Sequence, residues 1–254
     1  LGMVGVAIGV VLLPELARAL KAGHLREAQH TQNRSLEFAL FLTVPAAVAL
    51  FLIPEPIIRV IYERGEFEPS ATAAVAAVLG LYALGLPAFV MIKVFSPGYF
   101  AREDTKTPMI ATLISAGANI VLSLGLFWLL AERGIALATT IAGWLNAGLL
   151  FLGLYRRGLW EIDRALLKRV FLVCLCSAVM GVALIFGLIE LSPWLGSGDG
   201  VHRQLPALGA LVIAAMAVYF VLAFLTGAAD RNQLMALMRR RRHAAPSSAK
   251  PEQE

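Results

Sequence analysis

Residues 93–108 read KVFSPGYFAREDTKTP and separate two long apolar runs. Lys93, Arg102, Glu103, Asp104 and Lys106 crowd into this short gap. A charged connector between segments long enough to cross a bilayer marks those segments as membrane helices and itself as a junction on one membrane face. Pro97 and Gly98 read as the end of the preceding span. Pro108 suits the first turn of the next span, where a missing N–H is no loss. Tyr99 and Phe100 are suited to the interface.

Working outward, the rest of the chain has the same character. Its 254 residues are 59% hydrophobic and 15% charged, with a mean hydropathy of +0.75. A soluble domain carries about a quarter charged residues. The composition therefore indicates an all-α integral membrane protein. Seven apolar segments, at about 1–20, 36–62, 71–95, 108–131, 134–156, 167–190 and 205–227, are each near the length a membrane helix needs. They are too long, and too little alternating, for barrel strands. The first is the weakest, being interrupted by Pro14 and Glu15. The second holds Pro45 and then Pro54, Glu55 and Pro56, so a kink and an interfacial turn are expected.

The loops alternate in basic content. Rich ones carry Arg18, Lys21, Arg26 and Arg34; Lys93, Arg102 and Lys106; Arg156, Arg157, Arg164, Lys168 and Arg169; and Arg231 with the arginine run 239–242 and Lys250. Between them, Arg59 and Arg64 are offset by Glu63, Glu66 and Glu68, Arg133 by Glu132, and Arg203 lies near Asp199. The positive-inside rule places the rich loops and the C-terminus in the cytoplasm, which puts Leu1 on the periplasmic side. An outside start with no signal peptide and no initiator Met is the pattern expected of the later part of a longer protein. The net charge of +5 lies in loops between apolar spans, so anionic inner-leaflet lipids, and not nucleic acid, are the expected partners. The tail after residue 243 has a disordered composition.

Charged groups near spans are candidates for function. Arg34 and Glu37 are three apart on one helix face. They read either as an anion contact tuned by a carboxylate or as a snorkelling ion pair at the interface. Glu15 and Arg18 repeat the spacing, with the interfacial reading favoured. Lys93 can reach a phosphate or simply snorkel, and snorkelling is preferred. Asn119 and Asn146 suit interhelical hydrogen bonds. Gly5 and Gly9 form a GxxxG pattern that allows close helix approach. Cys174 and Cys176, two apart in an apolar run, cannot bridge each other and read as packing residues. His24, His30, His202 and His243 lack metal-ligand spacing, and the 196–198 GSG stretch reads as a turn. No catalytic motif or cofactor fingerprint is visible, so neither an enzyme nor a cofactor is expected.

Six short stretches carry a family resemblance in order: LLPELAR at 12–18, PAAVAL at 45–50, YERGEF at 62–67, YALGLPAF at 82–89, the opening stretch, and WLNAGLL at 144–150. Together they resemble the C-terminal half of the MurJ (MviN) family of bacterial lipid II flippases, within the multidrug/oligosaccharidyl-lipid/polysaccharide exporter superfamily. The resemblance implies the second lobe of a two-lobed transporter in residues 1–157 and two additional helices in 158–229. A basic cytoplasmic tail occupies 230–254. The additional pair, 167–190 and 205–227, would form a groove for a lipid tail. It also implies a multi-pass protein of the bacterial inner membrane, lipid II as substrate and the missing N-terminal half as partner. The mechanism would be alternating access. Aligned on Pro45, a diphosphate-holding arginine of the family falls at Glu37, which departs from the pattern; Arg34, one turn earlier on the same face, is the available stand-in. Rival readings are a related exporter of other polyprenyl-linked oligosaccharides or drugs, a seven-helix receptor, and an intramembrane enzyme. The 205–227 segment has no lysine for retinal, and no cluster of carboxylates or histidines is visible for an enzyme.

Overall fold

The computed structural model describes residues 2–63, 69–191 and 201–227. Leu1, Arg64, Glu66, Glu68, the 196–198 stretch read above as a turn and the tail from 228 onward, with its basic run, lie outside them. Among the described residues nine helices follow one another: α1 Gly2–Lys21, α2 Leu25–Leu52, α3 Pro54–Tyr62, α4 Pro69–Ala83, α5 Leu86–Phe100, α6 Lys106–Leu130, α7 Glu132–Arg156, α8 Arg164–Glu190 and α9 Val201–Thr226. Among the described residues, six stretches are long and apolar enough to span a membrane. They include α2, α6, α7, α8, residues Gln204–Thr226 of α9, and Ser70–Phe100, in which α4 and α5 are joined.

Two boundaries differ from expectation. The second span is Leu25–Leu52 and runs unbroken through Pro45, and Pro54 opens a separate short helix. The polar stretch before Leu36 is helical because its buried members find partners in neighbouring segments, as described below. The third span does not stop at Pro97 and Gly98 but continues to Phe100.

Sharp turns come from local chemistry. At Gly23 (φ +76°) α1 ends in a Schellman motif: Gly23 N–H donates to Leu20 O at 3.1 Å and His24 N–H to Ala19 O at 2.9 Å. Gly158 (φ +64°) closes α7 in the same way, with Gly158 N–H on Tyr155 O and Leu159 N–H on Leu154 O, both at 3.0 Å. These turns return the chain to one end of the bundle, the basic end. There the α1–α2, α5–α6 and α7–α8 connections meet.

The helix α5 packs against α1, α2 and α7. The Gly5/Gly9 face of α1 lies against Lys93, as the GxxxG pattern anticipates. Gly143 and Gly153 of α7 admit Phe89 and Tyr99. Tyr99 is fully buried and its hydroxyl donates to Leu150 O at 2.6 Å. Trp160, in the α7–α8 connection, packs edge-on to Phe95 with ring centroids 4.9 Å apart. Cys176 is buried in the α2–α8–α9 core and Cys174 is exposed; both are free thiols.

In lipid, each carbonyl freed from a helix needs another donor. Pro45 has no N–H for Phe41 O, and the Tyr219 hydroxyl of α9 donates to that carbonyl at 2.7 Å. The break between α4 and α5 is treated likewise: Thr140 donates to Leu81 O at 2.8 Å and Trp144 Nε1 to Leu84 O at 3.0 Å, both from α7. Asn119 Oδ1 accepts from Ser123 at 3.2 Å and, across helices, from Thr139 at 3.5 Å. Asn146 differs from expectation, since its buried Oδ1 has no protein donor.

Tyr219→Phe should cost about 1–3 kcal/mol by stranding the Phe41 carbonyl. In a Pro45→Ala background, which supplies a backbone N–H, the same change should cost much less. Thermal unfolding of the four proteins in detergent reads the cycle, and an equal cost in both backgrounds would refute the link.

Candidate functional site

The basic end is built by buried polar side chains of α2. Gln32 donates to Val94 O at 3.4 Å and lies over Gly98, where any Cβ would collide with its amide. Asn33 donates to Glu161 O at 3.0 Å and accepts a short bond from Trp160 Nε1. The α5–α6 connector is held equally firmly. Asp104 caps the first turn of α6, accepting from Thr107 N–H at 3.0 Å and Thr107 Oγ1 at 2.7 Å. Arg157, after α7, donates to Asp104 at 2.7 Å and to Thr107 Oγ1 at 3.0 Å. The hydrogen bonds from Thr107, helped by that from Arg157, hold the Asp104 carboxyl down at about 2.

The candidate charged residues are distributed around this frame. Glu37 is half-buried and pairs not with Arg34 but with Arg169 of α8, at 2.5 Å. Arg34 is exposed on α2 and has no ion pair among the described residues. Arg18 is exposed and turns back to Pro14 O at 3.3 Å, not to Glu15. Glu15 and Arg18 nevertheless line one polar cleft of about 450 Å³ with His24, Glu27 and Thr31. Lys93 is exposed and lies in a separate cleft of about 680 Å³ between α1, α5 and α6, beside Ser96, Thr105 and Thr112. The structure therefore brings Glu15 and Arg18 to one cleft, Lys93 to another, and Glu37 to the α2–α8 contact. Arg34 lines none of these cavities.

A third cavity is apolar. This groove of about 270 Å³ runs between α2, α8 and α9, with Phe41, Pro45, Ile53, Met180, Leu184 and Tyr219 among its walls. Phe41 packs on Tyr219 and Phe220, with ring centroids 5.4 and 6.0 Å apart. Among the described residues no group of His, Cys, Asp or Glu is arranged to hold a metal ion. Sequence reasoning missed Gln32, Asn33, Trp160 and the roles of Arg157 and Arg169. The only local signals were two amides just ahead of an apolar run and a lone tryptophan in a polar connector.

These features define a polytopic α-helical membrane protein with cation-bearing clefts and a separate apolar groove. The family model described as lipid II flippase MurJ matches residues 1–197. A probable lipid II flippase MurJ of Rhizobium tropici is 52% identical over 250 residues, covering 98% of this chain and 47% of the relative. A similarly named protein of Rhizobium meliloti (strain 1021) is 49% identical, covering 94% and 45%. One of Vibrio cholerae is 34% identical, covering 89% and 43%. The chain belongs to the MurJ family. It spans just under half the length of these relatives and corresponds to their C-terminal half.

Asp104 supplies a pH test. Its folded-state pKa, about 2, is below the ordinary 3.8. Its contribution to stability is therefore complete above the ordinary value and is lost as pH falls through about 2. The melting temperature should fall on acidification below about pH 4, and Asp104→Asn should flatten that part of the profile. Identical profiles for both proteins would remove the clasp as the cause.

Proposed function

We propose that this chain is the C-terminal lobe of a lipid II flippase. The substrate is the undecaprenyl-diphosphate-linked peptidoglycan precursor, carried from the inner to the outer leaflet of a bacterial inner membrane. The observation that carries this reading is the near-complete match, at about half identity, to proteins named for that activity. The presence of both an apolar groove and cation-bearing clefts supports it, because such a substrate has a long hydrocarbon tail and a dianionic linkage. Transport breaks no covalent bond, so the chain needs binding and motion, not catalytic groups. Alternating access moves the head group while the tail stays in lipid.

In this reading residues 1–157 are the lobe proper, 158–229 the added helix pair and 230–254 a basic cytoplasmic tail. The basic end faces the cytoplasm and its anionic lipids, and Leu1 lies on the periplasmic side. Arg34 and Lys93 are the substrate-facing cations, with Arg18 and Glu15 at the neighbouring cleft and Glu37 tuning the α2 face. The N-terminal half supplies the rest of the cavity.

Arg34→Ala in the complete protein should abolish rescue of a flippase-depleted strain while leaving membrane levels unchanged; normal growth would take Arg34 off the site. In vesicles, the complete protein should move lipid II. Transport of an O-antigen precursor but not lipid II would favour a related exporter instead.

A further inference from the structure

The polar cleft between α1 and α2 carries charge of both signs. Glu15, Arg18 and Ala22, at spacings of four and three residues, bring one face of α1 to it. His24, Glu27 and Thr31 bring the start of α2. The Schellman turn at Gly23 folds these two faces toward each other. The space between them, about 450 Å³, is within the range of small-ligand sites.

Its polar groups are under-used. Glu15 is half-buried and has neither a side-chain hydrogen bond nor an ion pair among the described residues. Arg18 gives its Nε to Pro14 O at 3.3 Å, and the rest of its guanidinium has no partner there. Glu27 meets only His24, at 3.2 Å. Lys21 and Arg26 are exposed on the same connection but do not line the cleft. With His24 neutral, the lining holds two carboxylates and one guanidinium. A phosphate placed here would face both carboxylates. A simple amine would leave Arg18 idle. A zwitterion, with an ammonium and a carboxylate on neighbouring atoms, uses all three.

We infer that this cleft reads the stem peptide of the lipid-linked precursor, with Glu15 and Glu27 receiving the free ammonium of its diamino acid and Arg18 the carboxylate beside that ammonium. The stem of a peptidoglycan precursor carries one diamino acid whose side-chain amine stays free for later cross-linking. Where that residue is diaminopimelate, a carboxylate shares the carbon that bears the amine; where it is lysine, none does. A guanidinium presents its donors as a planar fork that matches a carboxylate, and the ammonium gives charge-assisted bonds to the two glutamates. The half-buried Glu15 thereby gains the cation it lacks in the empty cleft. The cleft lies at the basic end, which in the proposed orientation faces the compartment where the head group is presented. This inference rests on the proposed substrate and assigns the peptide to the α1–α2 cleft, leaving the diphosphate to cations elsewhere.

The test is equilibrium binding to the purified complete protein, using three probes: the precursor with a diaminopimelate stem, the same lipid with a lysine stem, and the lipid-linked disaccharide without peptide. The unaltered protein should bind them in that order, tightest first. Glu15→Gln, which keeps size and removes the charge, should weaken both peptide-bearing probes about tenfold and spare the third. Arg18→Ala should weaken the diaminopimelate probe by a similar factor and spare the lysine probe, which has no carboxylate at that carbon. Arg18→Lys, retaining charge without the fork, should fall between, with the melting temperature of each variant checking its fold. If Glu15→Gln and Arg18→Ala weaken all three probes alike, or none, the cleft does not read the peptide and the inference is overturned. Equal binding of the three probes by the unaltered protein also overturns it and leaves the proposed function standing. Failure to bind any of them overturns both.

Discussion

Where Pro45 and the α4–α5 break free backbone carbonyls in the apolar interior, side chains of another helix supply the donors. Pro45 is the sharpest case. It removes one backbone donor from α2, and the protein answers with a tyrosine from α9. That single bond ties the last helix to the second and sets one wall of the apolar groove. The same requirement shapes the α4–α5 break, where α7 lends a threonine and a tryptophan to two carbonyls. In both places an interruption in one helix specifies which neighbour must pack beside it. A continuous helix would have left that choice to apolar contact, which discriminates poorly when lipid is equally apolar.

Much of the fold was legible because hydropathy is local. Six apolar runs became membrane-length stretches, five of them with ends near those expected. The second was misplaced, because a polar sequence such as that around Gln32 and Asn33 announces a loop unless its distant partners are known. Those partners, Val94 and Glu161, are 62 and 128 residues away. The break at Gly85 was invisible for a related reason. Glycine is common in membrane helices, and the side chains that make an unwound turn tolerable there lie on another helix.

The candidate site was legible in kind but not in pairing. A spacing of three residues made Arg34 and Glu37 plausible partners, yet Arg169 holds Glu37 from 132 positions away. Local spacing says which groups can meet along one helix; it says nothing about a competitor arriving from another. Lys93 and the glycines at 5 and 9 show the opposite outcome, since the small-residue pattern did mark where α5 and α1 come together. The opening stretch gained the most detail. Its charges are not equivalent: Asp104 is a cap and a clasp, whereas Lys93 faces a cleft.

The close seating of α5 has a mechanical consequence. Gly5 and Gly9 on one side, Gly143 and Gly153 on another, and Gln32 over Gly98 form a mould around it. Turning α5 within this mould would press a side chain against the α1 glycines or against Gln32. Any movement that preserves these contacts must carry α1, α2, α5 and α7 together as a single lever.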